Sequence, residues 1–142
     1  MAVIIERRYS HAIHPFHAVL LAGIVPLFIG VALCDWAYMA SYHIQWSNFA
    51  SWLIVGALVL TGITLVLALV DLCRATRRAP GIGLYFILLL ATWVVGFFNA
   101  LMHARDAWAA MPGGLILSVI TLVLAILAVW QGFGTPRMGA KT

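Results

Sequence analysis

The chain has 142 residues, 65% of them hydrophobic and only 8% charged, with a formal net charge of +4 and a mean hydropathy of +1.08. A water-soluble domain of this length has too much surface for its volume to hide so many apolar side chains, so the soluble and disordered classes are excluded and a membrane protein is selected. The isoelectric point near 9.6 does not imply nucleic-acid binding, because no basic stripe is interleaved with base-stacking aromatics. Anionic lipid headgroups are the expected partner of these arginines.

Four apolar stretches follow in chain order: Phe16–Met39, Ala50–Leu72, Ile82–Met102 and Pro112–Trp130. Each is long enough to cross a hydrocarbon layer of about 30 Å as a helix rising about 1.5 Å per residue. The first is too long for the apolar region of a signal peptide, and no small-x-small cleavage site clearly follows it, so it reads as a retained span. The connections are short, which predicts one all-α transmembrane domain over residues 1–142, a four-helix up-down-up-down bundle. Arg7, Arg8, Arg74, Arg77, Arg78, Arg137 and Lys141 all fall on one side of such a bundle, and only Arg105 falls on the other. The positive-inside rule then places both termini in the cytoplasm.

Within the spans, small and polar residues at helical spacing mark the faces expected to point inward. The second span offers Ala57, Thr61, Thr64, Ala68 and Asp71; the fourth offers Gly114, Ser118, Thr121, Ala125 and Ala128. In the first span the small residues are Gly23, Pro26, Gly30, Cys34 and Ala37, and Pro26 should kink the helix. The third span has the most polar stripe: Tyr85, Thr92, Gly96, Asn99, His103 and then Asp106. Trp36, Tyr38, Tyr42, Trp46, Trp52 and Trp108 gather toward the outer ends, where amphipathic rings anchor to headgroups. Cys34 and Cys73 fall on opposite membrane faces, which excludes a disulfide within the chain.

Five histidines in so apolar a chain are the main functional signal. His14 and His17 begin the first span with His11 before them, and Asp71 and Tyr85 belong to the same inner layer. His43, His103, Asp35, Asn99, Arg105 and Asp106 form an outer layer. A b-type haem needs two imidazoles reaching iron from opposite sides. Within one chain only His43 with His103 meets that demand, which makes them the candidate metal ligands. His14, His17 and Asp71 could supply nitrogen and oxygen ligands at a second, inner site, although i, i+3 spacing is a loose signature. A quinone would instead need an apolar slot beside a polar partner, and either histidine–aspartate layer offers one. Against these stand plainer readings. His11, His14 and His17 surround Pro15 and suit a helix start, Asp35 and Arg105 suit an ion pair between the first and third spans, Asp106 suits a cap on the fourth span or a bond within the loop, and His103 suits a bond to Asn99 or a terminal carbonyl. No nucleophile elbow or phosphate-cradling glycine loop is present.

His14-Pro15-Phe16-His17-Ala18, Asp35, Trp52-Leu53-Ile54-Val55-Gly56, Val70-Asp71-Leu72, and the block from Asn99 through His103, Arg105 and Asp106 to Trp108 carry a resemblance, together with Pro112 and Leu115-Ile116-Leu117-Ser118. They resemble a bacterial inner-membrane family of four-helix proteins catalogued as a domain of unknown function. The resemblance covers about 13–132. Two departures are visible: the proline of the first span is displaced to Pro26, and the chain lacks the longer glycine-rich end of many members. The resemblance implies proximity to periplasmic quinoprotein dehydrogenases of the sorbosone dehydrogenase type, or to other redox domains. The resulting expectation is a membrane electron-transfer subunit of the bacterial inner membrane that binds haem b or a quinone. His103 and His43 would be the ligands, Asn99, Asp35 and Asp106 would stand around them, and His14, His17 and Asp71 would form the inner site. The alternative is a non-catalytic anchor or scaffold, alone or as a homo-oligomer.

Overall fold

The computed structural model describes residues 9–10, 14–74, 81–134 and 137–138. Its elements are α1 (Pro15–Ser41), α2 (Ile44–Arg74), α3 (Ile82–His103), the short α4 (Ala107–Ala110) and α5 (Gly113–Gly134). The four long helices are each long and apolar enough to cross a membrane, so the expected architecture is present. Tyr9–Ser10 (β1) also pairs antiparallel with Arg137–Met138 (β2), which brings both ends of the chain to the same end of the bundle. Arg7, Arg8, His11, Arg77, Arg78 and Lys141 lie outside the described residues.

The fourth span runs on to Gly134, beyond the expected Trp130, and two further features differ from expectation. The second span begins at Ile44 and not near Ala50, which reduces its connection to α1 to Tyr42 and His43. Gln45, Ser47 and Asn48 hide the apolar period there, yet Ser47, Ala50, Ile54 and Ala57 form one buried helical stripe. Tyr42 makes the turn in the left-handed region (φ 54°), an uncommon conformation for a side-chain-bearing residue. It is held by its N–H to the Tyr38 carbonyl (2.7 Å) and by its ring stacked on Trp108 at 5.2 Å. The second difference is α4, which begins the connection to α5 with Asp106 accepting a bond from the Trp108 N–H (3.3 Å).

The spans form a square. α1 and α3 each pack on both α2 and α5, so α1 and α3 run parallel and face one another across the diagonal. Three pairs fix their register. His17 meets Tyr85 and Asp35 meets His103, both at a sequence separation of 68, and between them the Phe28 ring lies over the Cα of Gly96, 3.5 Å from where a Cβ would stand. The two hydrogen-bonded pairs are about 27 Å apart along the helices at a rise of about 1.5 Å per residue.

The inward faces of α2 and α5 are those expected: Ala57, Thr61, Thr64 and Ala68, then Ser118, Thr121, Ala125 and Ala128, are buried. On α1 the small residues were the wrong guide. Its buried face is His17, Leu20, Leu21, Ile24, Phe28, Val31, Asp35 and Tyr38, whereas Gly23 and Gly30 receive Leu60 and Leu53 of α2 on the flank and Pro26 is exposed. Large side chains fill the centre because α1 spans the square's diagonal, while small ones suit closer neighbours.

The buried threonines do not tie helices together. Thr61, Thr64, Thr92 and Thr121 each donate at 2.7 Å to the carbonyl four residues back on their own helix. Thr61→Val and Thr121→Val should therefore each shift unfolding free energy in detergent by less than about 0.7 kcal/mol, because no interhelical bond is lost.

Candidate functional site: a buried polar cluster

At the end of the bundle marked by His103, three helices contribute one connected cluster. Asp35 of α1 is fully buried, and the His103 side chain of α3 is 1% exposed. His103 Nε2 lies 2.7 Å from Asp35 Oδ1, and its Nδ1 lies 2.9 Å from the backbone carbonyl of Asn99 one turn earlier. Ser118 of α5 donates from Oγ to Asp35 Oδ2 and accepts from Asn99 Nδ2 at 2.8 Å. Asn99 Oδ1 is buried with no hydrogen-bond partner among the described residues.

Glycine makes room for the ring. A Cβ on Gly114 would stand 3.2 Å from His103 Cε1, and one on Gly113 would stand 2.9 Å from Met102 Cε. The start of α5 thus packs closely on the end of α3: a side chain at Gly114 would press on the His103 ring, whereas at Gly113 the flexible end of Met102 could rotate aside. Cys34 and Cys73 are both free thiols.

The pattern of donors and acceptors fixes the proton content. The Asn99 carbonyl can only accept, so Nδ1 of His103 carries a hydrogen. Between Nε2 and Oδ1 there must be another, on the imidazole or on the carboxyl. Ser118 uses its one hydrogen on Asp35, because Asn99 donates to it. The Asp35–His103 pair thus holds one shared proton and is neutral overall, as an imidazolium–carboxylate pair or as imidazole with carboxylic acid. Neutrality is what permits burial in a medium where a lone charge costs several kcal/mol, of order 3 or more.

Of the expected site residues, the fold brings together Asp35, Asn99 and His103. Ser118 belongs with them, although the sequence placed it only on a packing face; its membership in the inward stripe at the level of the Asn99–His103 turn was the available signal. Asp35 bonds His103 where Arg105 was expected. Arg105 is exposed, its guanidinium 3.7 Å from the Met102 sulfur. Asp106 is exposed and caps the short α4 within the connection, not the fourth span. His43 is exposed in the α1–α2 turn, and its backbone N–H bonds Ser41 Oγ at 3.4 Å.

At the opposite end, His17 is buried with Nε2 2.7 Å from the Tyr85 hydroxyl. His14 is exposed and caps α1, its Nδ1 accepting from the Phe16 N–H at 3.3 Å. Asp71 is partly buried near the end of α2. No group of three or more His, Cys, Asp or Glu able to hold a metal ion occurs among the described residues.

A b-type haem fits this arrangement poorly. Both ring nitrogens of His103 are engaged, so iron on either would break a buried hydrogen bond, and His43 stands exposed outside the cluster.

The profile of a family described as Predicted membrane protein (DUF2231) matches residues 13–135. The chain belongs to this family. The DUF2231 segment contains every residue of the polar cluster and the His17–Tyr85 pair at the other end. No curated protein and no solved structure matches the chain.

Proposed function

We propose that this DUF2231 protein is a small electron-transfer subunit of the bacterial cytoplasmic membrane, with a quinone as carrier and the Asp35–His103 pair as its proton-handling group. The observation that supports this reading is the 2.7 Å contact between two fully enclosed ionisable side chains, Asp35 and His103. Adding or removing a proton there leaves an uncompensated charge inside the bundle. Proton uptake therefore becomes favourable only when negative charge arrives nearby, which is the coupling that quinone reduction needs. Asn99 Oδ1 supplies an additional acceptor for a hydroxyl or a water beside the pair. By the positive-inside rule, both termini and the His17 end face the cytoplasm, and the cluster faces outward toward an extracytoplasmic dehydrogenase of quinoprotein type. Haem is not part of this reading.

A second reading, a non-catalytic anchor or scaffold, is favoured by a different observation. The histidine bonds at both ends tie α1 to α3 across the diagonal, as a structural latch would.

Redox-difference infrared spectroscopy separates them. With protein in quinone-containing membranes, reducing the quinone should change a protonated-carboxyl C=O band that Asp35→Asn removes. An unchanged carboxyl region would leave the anchor. The same preparation should show no Soret band on dithionite reduction; such a band would restore haem.

A further inference from the structure

We propose that the membrane-facing groove between α2 and α3 is a binding site for a lipid-soluble quinone, whose ring carbonyl accepts a hydrogen bond from Trp93. The ligand class rests on the electron-transfer reading, and the site rests on separate observations; it is a docking position about 15 Å along α3 from His103, distinct from the place where a quinone would exchange protons with the Asp35–His103 pair. The groove has a volume of about 460 Å³ and is lined by Val55, Leu58, Val59, Gly62, Ile63, Val66 and Trp93. Trp93 lies eleven residues into α3 (Ile82–His103), so at a rise of about 1.5 Å per residue it is about 15 Å from either end of the span. Tryptophans usually sit at membrane interfaces, where the indole N–H finds water or headgroups.

Mid-span, this one lies far from both. No hydrogen bond is made by Trp93 among the described residues. Asn99 Oδ1 is the buried side-chain polar atom without a partner among those residues, so the unpaired Trp93 Nε1 is reachable from the groove. Its position is fixed by stacking on Phe97 (5.6 Å, 5° between planes). It is also fixed by Gly62, where a Cβ would stand 3.2 Å from Nε1. A side chain at Gly62 would displace the donor edge.

Three occupants compete for such a slot. Lipid ester carbonyls lie at the edge of the hydrocarbon layer, about 15 Å from its middle, so an acyl chain would leave the N–H unpaired. A second copy fares no better, because the exposed side chains at this depth are apolar, among them Ile29, Val59, Ile63, Val94 and Val123. An unpaired N–H in hydrocarbon is costly. A lipid-soluble quinone brings both a flat apolar body and a carbonyl acceptor to the middle of the bilayer.

The test is photolabelling of the protein in lipid nanodiscs with an azido-quinone, with decylubiquinone as competitor and the label mapped by mass spectrometry. Saturable labelling is expected on the peptides carrying Val55–Val66 and Trp93. Trp93→Phe keeps the stacked ring and should weaken decylubiquinone competition about fivefold, the size of one hydrogen bond; Gly62→Leu should abolish labelling. Equal competition by decylbenzene, or an unaffected Trp93→Phe protein, would reduce the groove to an acyl-chain slot and overturn the proposal. Val59→Cys protein that crosslinks into a dimer regardless of decylubiquinone would overturn it in favour of a second copy. Label confined to the Asp35 and His103 peptides would also overturn the site while sparing the electron-transfer reading. Absence of saturable label would do the same, since the Asp35 infrared band judges that reading independently.

Discussion

Asp35→Ala should lower the unfolding free energy of the bundle by about 3 kcal/mol, the scale for removing one partner of a buried pair. The loss is large because one carboxylate serves two helices. His103 Nε2 loses its partner, Ser118 loses the recipient of its hydrogen, and both side chains are buried. Typical interhelical hydrogen bonds in membranes contribute only about 0.6 kcal/mol, because the separated helices also find partners. The excess here comes from burial: once Asp35 is gone, His103 Nε2 and the Ser118 hydroxyl are polar groups left without their partner inside the bundle. Replacing both partners with leucine should recover part of the loss, because no polar group is then left alone. Reversible unfolding in mixed micelles measures all three proteins. A single and a double variant equally unstable would place the cost in packing and not in the polar pair.

Gly132→Ala should cost about 2 kcal/mol, within the range for overpacking a core, and should break the other polar tie. An added Cβ would stand 2.7 Å from both Leu21 Cδ2 and Tyr85 Cε2. Leucine can rotate aside, but the Tyr85 ring is enclosed, and its hydroxyl is fixed by His17 at 2.7 Å. The methyl therefore displaces Tyr85 from His17. Gly132→Ala and Tyr85→Phe should consequently be non-additive, since each loses the same hydrogen bond. Strict additivity in a double-mutant cycle would mean that the ring does not move. The contrast with Thr61→Val is informative, because that hydroxyl is equally buried yet bonded only to its own helix.

Both large effects act on the same geometric fact. α1 and α3 are not neighbours in the square, and yet they carry the polar side chains that meet. Their constant register, set by His17 with Tyr85, Phe28 on Gly96 and Asp35 with His103, means that a shift of one helix along the other breaks both ends together.

Composition and periodicity determined the membrane class, the four spans and the inward faces of α2 and α5. Each of these depends on local physics: apolar length against bilayer thickness, and small residues repeating at helical spacing. The turn containing Asn99 and His103, and its likeness to a membrane family, were also legible along the chain. Tertiary structure alone decided who meets whom. Asp35 and His103 are 68 residues apart, as are His17 and Tyr85, and nothing local reports which two of four helices share a diagonal. For the same reason His43, adjacent to the outer layer in sequence terms, stands outside the cluster, while Ser118 stands within it. Helix positions are set by side-chain periodicity within one segment, but a hydrogen-bonded cluster is set by the relative rotation and register of three segments, which packing among all four helices determines.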